Sequence, residues 1–230
     1  YIAFETNREL WRYDQEEGEL LRIFSFAGVG DEDIRSSYDS HDIKILSVRD
    51  NGDVYFLVYG YMNRGTAEGQ MGVTLYHYIQ NRDTVQENIF IPVEESFESL
   101  QWELNQLAYL NENEMLYLLL NQSICGIDLS SNELVVVARG LTLGEYAVSS
   151  NQQRIAWKEE TNPGQNDRIH VMDLNTAQKD EIQADQGDYI QVLGFVGSDL
   201  IYGLGHQTDQ WISNGRVREL PMYALYIIGT

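Results

Sequence analysis

Five short apolar strands, each presenting an aromatic residue at the same place, predict an all-β chain built as a β-propeller of four-stranded antiparallel blades. The strands are YIAF (Tyr1–Phe4), DVYF (Asp53–Phe56), EMLY (Glu114–Tyr117), RIAW (Arg154–Trp157) and DLIY (Asp199–Tyr202). Their aromatic positions lie about 52, 61, 40 and 45 residues apart, a loose period within the range of repeat architectures made of small sheets. A second repeat follows the first. LWRYDQEEGEL (Leu10–Leu20), LYHYIQNRDTV (Leu75–Val85), ICGIDLSSNEL (Ile124–Leu134) and IHVMDLNTAQK (Ile169–Lys179) align without gaps. Helical periodicity is absent except over Glu94–Leu104, where one or two turns are expected.

Each element has a local reason. Asn51-Gly52, Asn111–Asn113, Asn151–Gln153 and Gly197-Ser198 precede the aromatic strands. Asn and Gly accept the positive φ of tight hairpins, so each turn joins the aromatic strand to one before it. Those first strands are Ile43–Asp50, Gln106–Leu110, Glu145–Ser150 and Tyr189–Val196. The third strands are the second repeat, and three of them end in Asp14, Asp128 and Asp173. An Asp at a strand end before a turn accepts backbone N–H groups, so these three read as structural. Fourth strands follow the turns. The three prolines, Pro92, Pro163 and Pro221, stand at strand ends or in loops. We expect one domain over residues 1–230, with blades near 1–27, 43–93, 106–140, 145–184 and 189–230, the first and last incomplete. The chain opens inside a strand without an initiator Met, so a segment of a longer protein is expected, its targeting signal lying outside it.

Composition narrows the function. Lys and Arg number 15 against 36 Asp and Glu, a net charge of −21 that repels nucleic-acid backbones and anionic membrane surfaces. No run approaches the roughly 18 apolar residues of a spanning helix, so no membrane insertion is expected. The single cysteine, Cys125, sits in an apolar strand and reads as a core residue.

EYAVSSNQQRIAWKEE…DRIHVMDLNT (Glu145–Thr176) resembles the repeat of TolB-like propellers and their WD-repeat-like relatives, with its Ser-containing turn, its I-A-[FW] strand and its V-M-D-L strand. The resemblance implies a propeller and a bacterial setting at the cell surface or in the periplasm.

In such a meander the connections after strands one and three are short, and those after strand two and between blades are long. The long ones are Tyr59–Gly72, Glu159–Asp167, His206–Pro221, Ala27–Asp42 and Glu94–Asn105, and all fall on one face. Candidate binding residues there are Tyr38, Asp39, Asp42, Tyr61, Trp102, Asp209 and Trp211. Aromatic rings among carboxylates suit a protein or glycan ligand. His41 and His206 share this face but lack metal-ligand spacing, and the acidic run GDEDIRSSYDSHD lacks the spacing of a calcium loop, so neither metal nor cofactor is expected. No nucleophile elbow, phosphate loop or dinucleotide motif occurs. A non-enzymatic binding or sensing module is the leading reading. The alternatives are a carbohydrate-active hydrolase using channel carboxylates, for which Asp42, Glu103, Glu145 and Asp188 stand near first-strand starts, and a structural scaffold domain.

Overall fold

The computed structural model describes residues 2–6, 9–25, 40–62, 66–159, 167–213 and 216–229. Five antiparallel sheets follow one another along the chain, as propeller blades do. The first holds β1 (Ile2–Thr6), β2 (Glu9–Asp14) and β3 (Glu19–Ser25) in that order. The second holds β4 (His41–Val48), β5 (Val54–Tyr61), β6 (Met71–Ile79) and β7 (Thr84–Pro92). After helix α1 (Phe97–Gln106) comes the third, β8 (Ala108–Leu110), β9 (Met115–Leu120), β10 (Ser123–Asp128) and β11 (Glu133–Ala138). The fourth is β12 (Tyr146–Val148), β13 (Arg154–Lys158), β14 (Arg168–Asp173) and β15 (Lys179–Gln183). The fifth pairs β16 (Asp188–Val196), β17 (Asp199–His206) and β20 (Ala224–Ile228), with a separate hairpin of β18 (Trp211–Ser213) and β19 (Arg216–Glu219) between the last two in sequence. The first and last sheets have three strands where the middle three have four.

Two compact units divide the chain. One comprises residues 1–110, 114–121 and 125–135, and the other residues 111–113, 122–124 and 136–230. In the first unit, every residue of β5 from Val54 to Gly60 is buried. Val54, Phe56 and Val58 face a cluster with Leu10, Ile43 and Tyr78, whereas Tyr55, Leu57 and Tyr59 face Leu75, Leu100, Leu104, Leu116, Leu118 and Ile127. Period-2 alternation thus places one strand in two cores, and this is why β5 reads as an unbroken apolar run. In the second unit Ala156, Ile169, Ile190, Val192, Leu200 and Tyr202 form the core.

The aromatic repeat is mostly interior. Phe56, Tyr117, Trp157 and Tyr202 are buried. Phe56 meets Phe24 edge-on at 5.3 Å, and Lys179 Nζ stands 5.0 Å from the Trp157 ring. Phe4 differs, being 39% exposed, because it occupies the strand face opposite Ala3, the residue that packs toward the second sheet. The three strand-end aspartates act as expected. Asp14 Oδ1 accepts from the Glu16 and Glu17 amides at 3.0 and 3.2 Å, Asp128 Oδ1 from Ser130 N at 2.8 Å, and Asp173 Oδ1 from Asn175 and Thr176 N at 2.8 and 3.0 Å. In the second sheet Ile79 holds that place, and Asp53 from the adjoining strand supplies the acceptor, to Gln80 N at 2.8 Å. Cys125 is buried, as its apolar surroundings suggested.

Three expectations need correction. Helix α1 is longer than the one or two turns foreseen; Ser96 caps it by accepting from Ser99 N at 3.2 Å, and Lys44 Nζ donates to the Leu104 carbonyl near its C-terminus at 2.9 Å. The connection read as Tyr59–Gly72 is shorter than that: β5 runs to Tyr61, β6 starts at Met71, and Met62 N donates to Gln70 O at 2.9 Å to extend the ladder. The connection His206–Pro221 contains the hairpin β18–β19, in which Ser213 faces Arg216.

Candidate functional site

Among the described residues the first unit contains three of the sequence candidates, Asp42, Tyr61 and Trp102. Asp42, the second residue of β4, is held within the protein. Its Oδ2 accepts from the Tyr59 hydroxyl and from Gln101 Nε2, each at 3.2 Å, and its Oδ1 from Ile43 N at 2.8 Å. Burial first, and the Asp42 charge second, push the Tyr59 phenol far above its ordinary range, so the hydroxyl stays a donor. Glu5 is raised as well, by burial and then by Asp42. Trp102, beside Gln101 on α1, is exposed, and so is Tyr61 at the end of β5. Glu103 stands on α1, a short distance before β8. It lies on the buried face of α1 and accepts from Asn121 N at 2.6 Å, which makes it part of the helix–sheet packing. His41, expected on a loop, begins β4 opposite Gly60 and is buried. Tyr38 and Asp39 lie outside the described residues, as does most of the 27–42 segment.

In the second unit a cleft of about 860 Å³ opens at the edge where first strands begin and second strands end. Its walls are the 142–145 segment before β12, Lys158 at the end of β13, Asp167 before β14, Gln191 near the start of β16, and Gln207, Gln210 and Leu220 from the connection after β17. Polar side chains dominate. Lys158 Nζ pairs with Asp167 Oδ2 at 2.7 Å, and Glu145 Oε2 accepts from the Thr142 hydroxyl at 2.6 Å. Gln191 Nε2 donates to the Gly144 carbonyl, which ties the start of β16 to the segment before β12. Of the sequence candidates, Asp209 sits between Gln207 and Gln210 and Trp211 directly after them, both exposed, so they flank the lining residues without belonging to them.

Asp188, the first residue of β16, fastens the connection that forms one wall. His206 Nδ1, at the start of that connection, lies 2.7 Å from Asp188 Oδ1; the Tyr223 hydroxyl, at its end, donates to Oδ2 at 2.6 Å. The two rings stack at 4.5 Å. Gln207 Nε2 donates to the Asp188 carbonyl at 3.0 Å. Hydrogen bonds from Tyr223 first, then from His206, hold the Asp188 carboxyl below its ordinary 3.8, and the Tyr223 phenol is pushed up to about 12, chiefly by the same bond. A depressed folded-state value means a contribution present above the ordinary 3.8 and lost as pH falls through the lower folded value. The Asp188 contribution to the fastening is therefore present at neutral pH and is lost on the acid side of 3.8. Tyr223→Phe should move the Asp188 carboxyl back up toward its ordinary value in a carboxyl-carbon NMR titration, and an unchanged titration would contradict this account of the bond.

No protein-family model matches the chain, and no curated protein matches it in sequence. Among solved structures it is similar to TolB from Acinetobacter baumannii, with a TM-score of 0.38 and 12% identity over 80% of this chain and 40% of that one. It is also similar to a chain of a nidogen/laminin complex, at 0.40 and 8% over 87% and 68%. Porphyromonas gingivalis dipeptidyl peptidase 4 gives 0.39 and 10% over 89% and 34%. The chain thus spans about two-fifths of the TolB chain. The strand order within the sheets carries the fold.

Sequence reasoning missed Gln191, Gln207, Gln210, Lys158 and Asp167. Neutral amides have no motif spacing; the pointers were the long connections Glu159–Asp167 and His206–Pro221, which contain Asp167, Gln207 and Gln210, and the neighbouring Asp209. Among the described residues no group of His, Cys, Asp or Glu is placed to hold a metal ion, and no helix is long and apolar enough to cross a membrane.

Proposed function

We propose that the chain is a non-enzymatic binding or sensing module that engages a protein or glycan through the edge where first strands begin and second strands end. The observation behind this reading is the polar cleft of the second unit, with exposed Leu143 in its lining and exposed Trp211 beside it. Concave polar sites with an aromatic at the margin suit ligands that offer both hydrogen bonds and apolar surface. The TolB-like resemblance of Glu145–Thr176 supports a bacterial cell-surface or periplasmic setting. Three of the four carboxylates considered for hydrolysis have other work: Asp42 anchors Tyr59 and Gln101, Glu103 holds the Asn121 turn, and Asp188 fastens a connection.

A panel of immobilised oligosaccharides and tiled peptides tests the reading. The double variant Trp211→Ala, Gln207→Ala should lose at least about tenfold in affinity for whatever the parent chain retains, the effect of removing one anchor of more than 1.4 kcal/mol. Its Tm should stay within a few degrees of the parent's, because both side chains are exposed. Undiminished retention would remove this edge from consideration.

A further inference from the structure

We infer that the cleft of the second unit takes an alkylammonium or guanidinium cation, presented by a lysine or arginine in a basic segment of a partner protein. The inference rests on the binding reading above and names the group that is bound. Its basis is hydrogen-bond valence. A glutamine amide has two N–H donors and a carbonyl acceptor. Gln191 directs its Nε2 to the carbonyls of Gly144 and Val192, and Gln207 directs its Nε2 to that of Asp188. With both donor ends turned into the framework, the two Oε1 atoms accept nothing from the described residues. Glu145 uses Oε2 for the hydroxyl and amide of Thr142, leaving Oε1 without a donor among the described residues. The cleft thus offers acceptors, and its occupant must bring donors.

Charge points the same way. Lys158, the one cation among the described lining residues, is matched by Asp167, whereas Glu145 has no cationic partner among the described residues. A carboxylate or phosphate would meet acceptors and a net negative wall. The chain's net charge of −21 further repels anions and steers cations inward. A cleft of about 860 Å³ exceeds the needs of one side chain. Exposed Leu143 and Trp211 at its margin would cover the aliphatic stem and neighbours of a Lys or Arg, which a free amine lacks.

Fluorescence anisotropy of a labelled short oligo-arginine peptide, titrated with the intact chain, supplies the test, alongside calorimetry with spermine and with a neutral β-linked glucose tetramer. Glu145→Gln should weaken peptide binding about tenfold, the loss of one charge-assisted hydrogen bond. Gln191→Leu should weaken it by a smaller factor. Glu133→Gln, which removes an equal charge from exposed β11, should leave it within about twofold. Equal losses for Glu145→Gln and Glu133→Gln would reduce the effect to overall charge and overturn the assignment. Spermine binding as tightly as the peptide would overturn the protein segment as the source of the cation. If the tetramer binds, the peptide does not, and Gln191→Leu abolishes tetramer binding, the cation is overturned while the binding reading stands. A parent chain that binds none of the three probes would overturn the cation and count against the binding reading as well.

Discussion

Leu118→Ala should destabilise the first unit by about 3 kcal/mol, lowering its Tm by roughly 10 °C. Leu118 is fully buried on β9, in a core shared by β5, β6, α1 and the third sheet, where Leu57, Leu75, Leu100, Leu104 and Leu116 also lie. Truncation removes the apolar transfer term and leaves a void that these neighbours, themselves on paired strands and a capped helix, are poorly free to fill. Leu118→Met conserves volume and should cost less than about 1.5 kcal/mol. Urea denaturation with an unchanged m-value is the measurement; equal losses for both variants would show that shape, not the cavity, governs the site.

Gly205→Ala should cost about 2 kcal/mol in the second unit and disturb the cleft with it. A Cβ at this buried position would collide with the Pro221 carbonyl and the Tyr189 hydroxyl. Those two atoms are themselves joined by a 2.5 Å hydrogen bond, and Tyr189 is fully buried. Neither can turn aside by a rotamer change, one being backbone and the other a buried ring. The strain therefore moves Pro221, and with it Leu220 in the cleft wall. Gly203, two residues earlier on the same strand, is an internal control. The three atoms nearest its added Cβ all belong to the side chain of Met222, an unbranched thioether that can change rotamer, so Gly203→Ala should cost less than about 1 kcal/mol. If Gly203→Ala proves the more damaging, close backbone approach is not what requires glycine at 205.

The blades were legible because two local signals coincide there. Continuous apolar runs mark β5, β9 and β13, and Asn-containing turns mark where they begin. The strand-end aspartates were legible for the same reason, since an Asx-type turn closes over two or three residues. The hairpin β18–β19 has its own sequence signal, Asn214-Gly215, inside the stretch His206–Pro221 that otherwise reads as one long connection. The length of α1 was obscured because its buried face includes Glu103, a residue that no apolar pattern counts. The connections that wall the cleft were legible, but its hydrogen-bonding character was not. Its character depends on which carbonyl each glutamine amide meets, and Gln191 meets Gly144 across 47 positions of sequence. Tertiary pairing alone decides whether an amide presents its donor or its acceptor to a ligand.

The fastening at Asp188 bears on how this protein can change over time. One carboxylate receives both His206 and Tyr223, the first and last residues of the excursion that carries the β18–β19 hairpin. With the two ends pinned, the entropy of closing that excursion grows only slowly with its length. The intervening segment is therefore an interchangeable cassette. Its residues can be replaced, or its hairpin lengthened, while β17 and β20 keep their register, so new ligand preferences can arise here without the sheet being rebuilt.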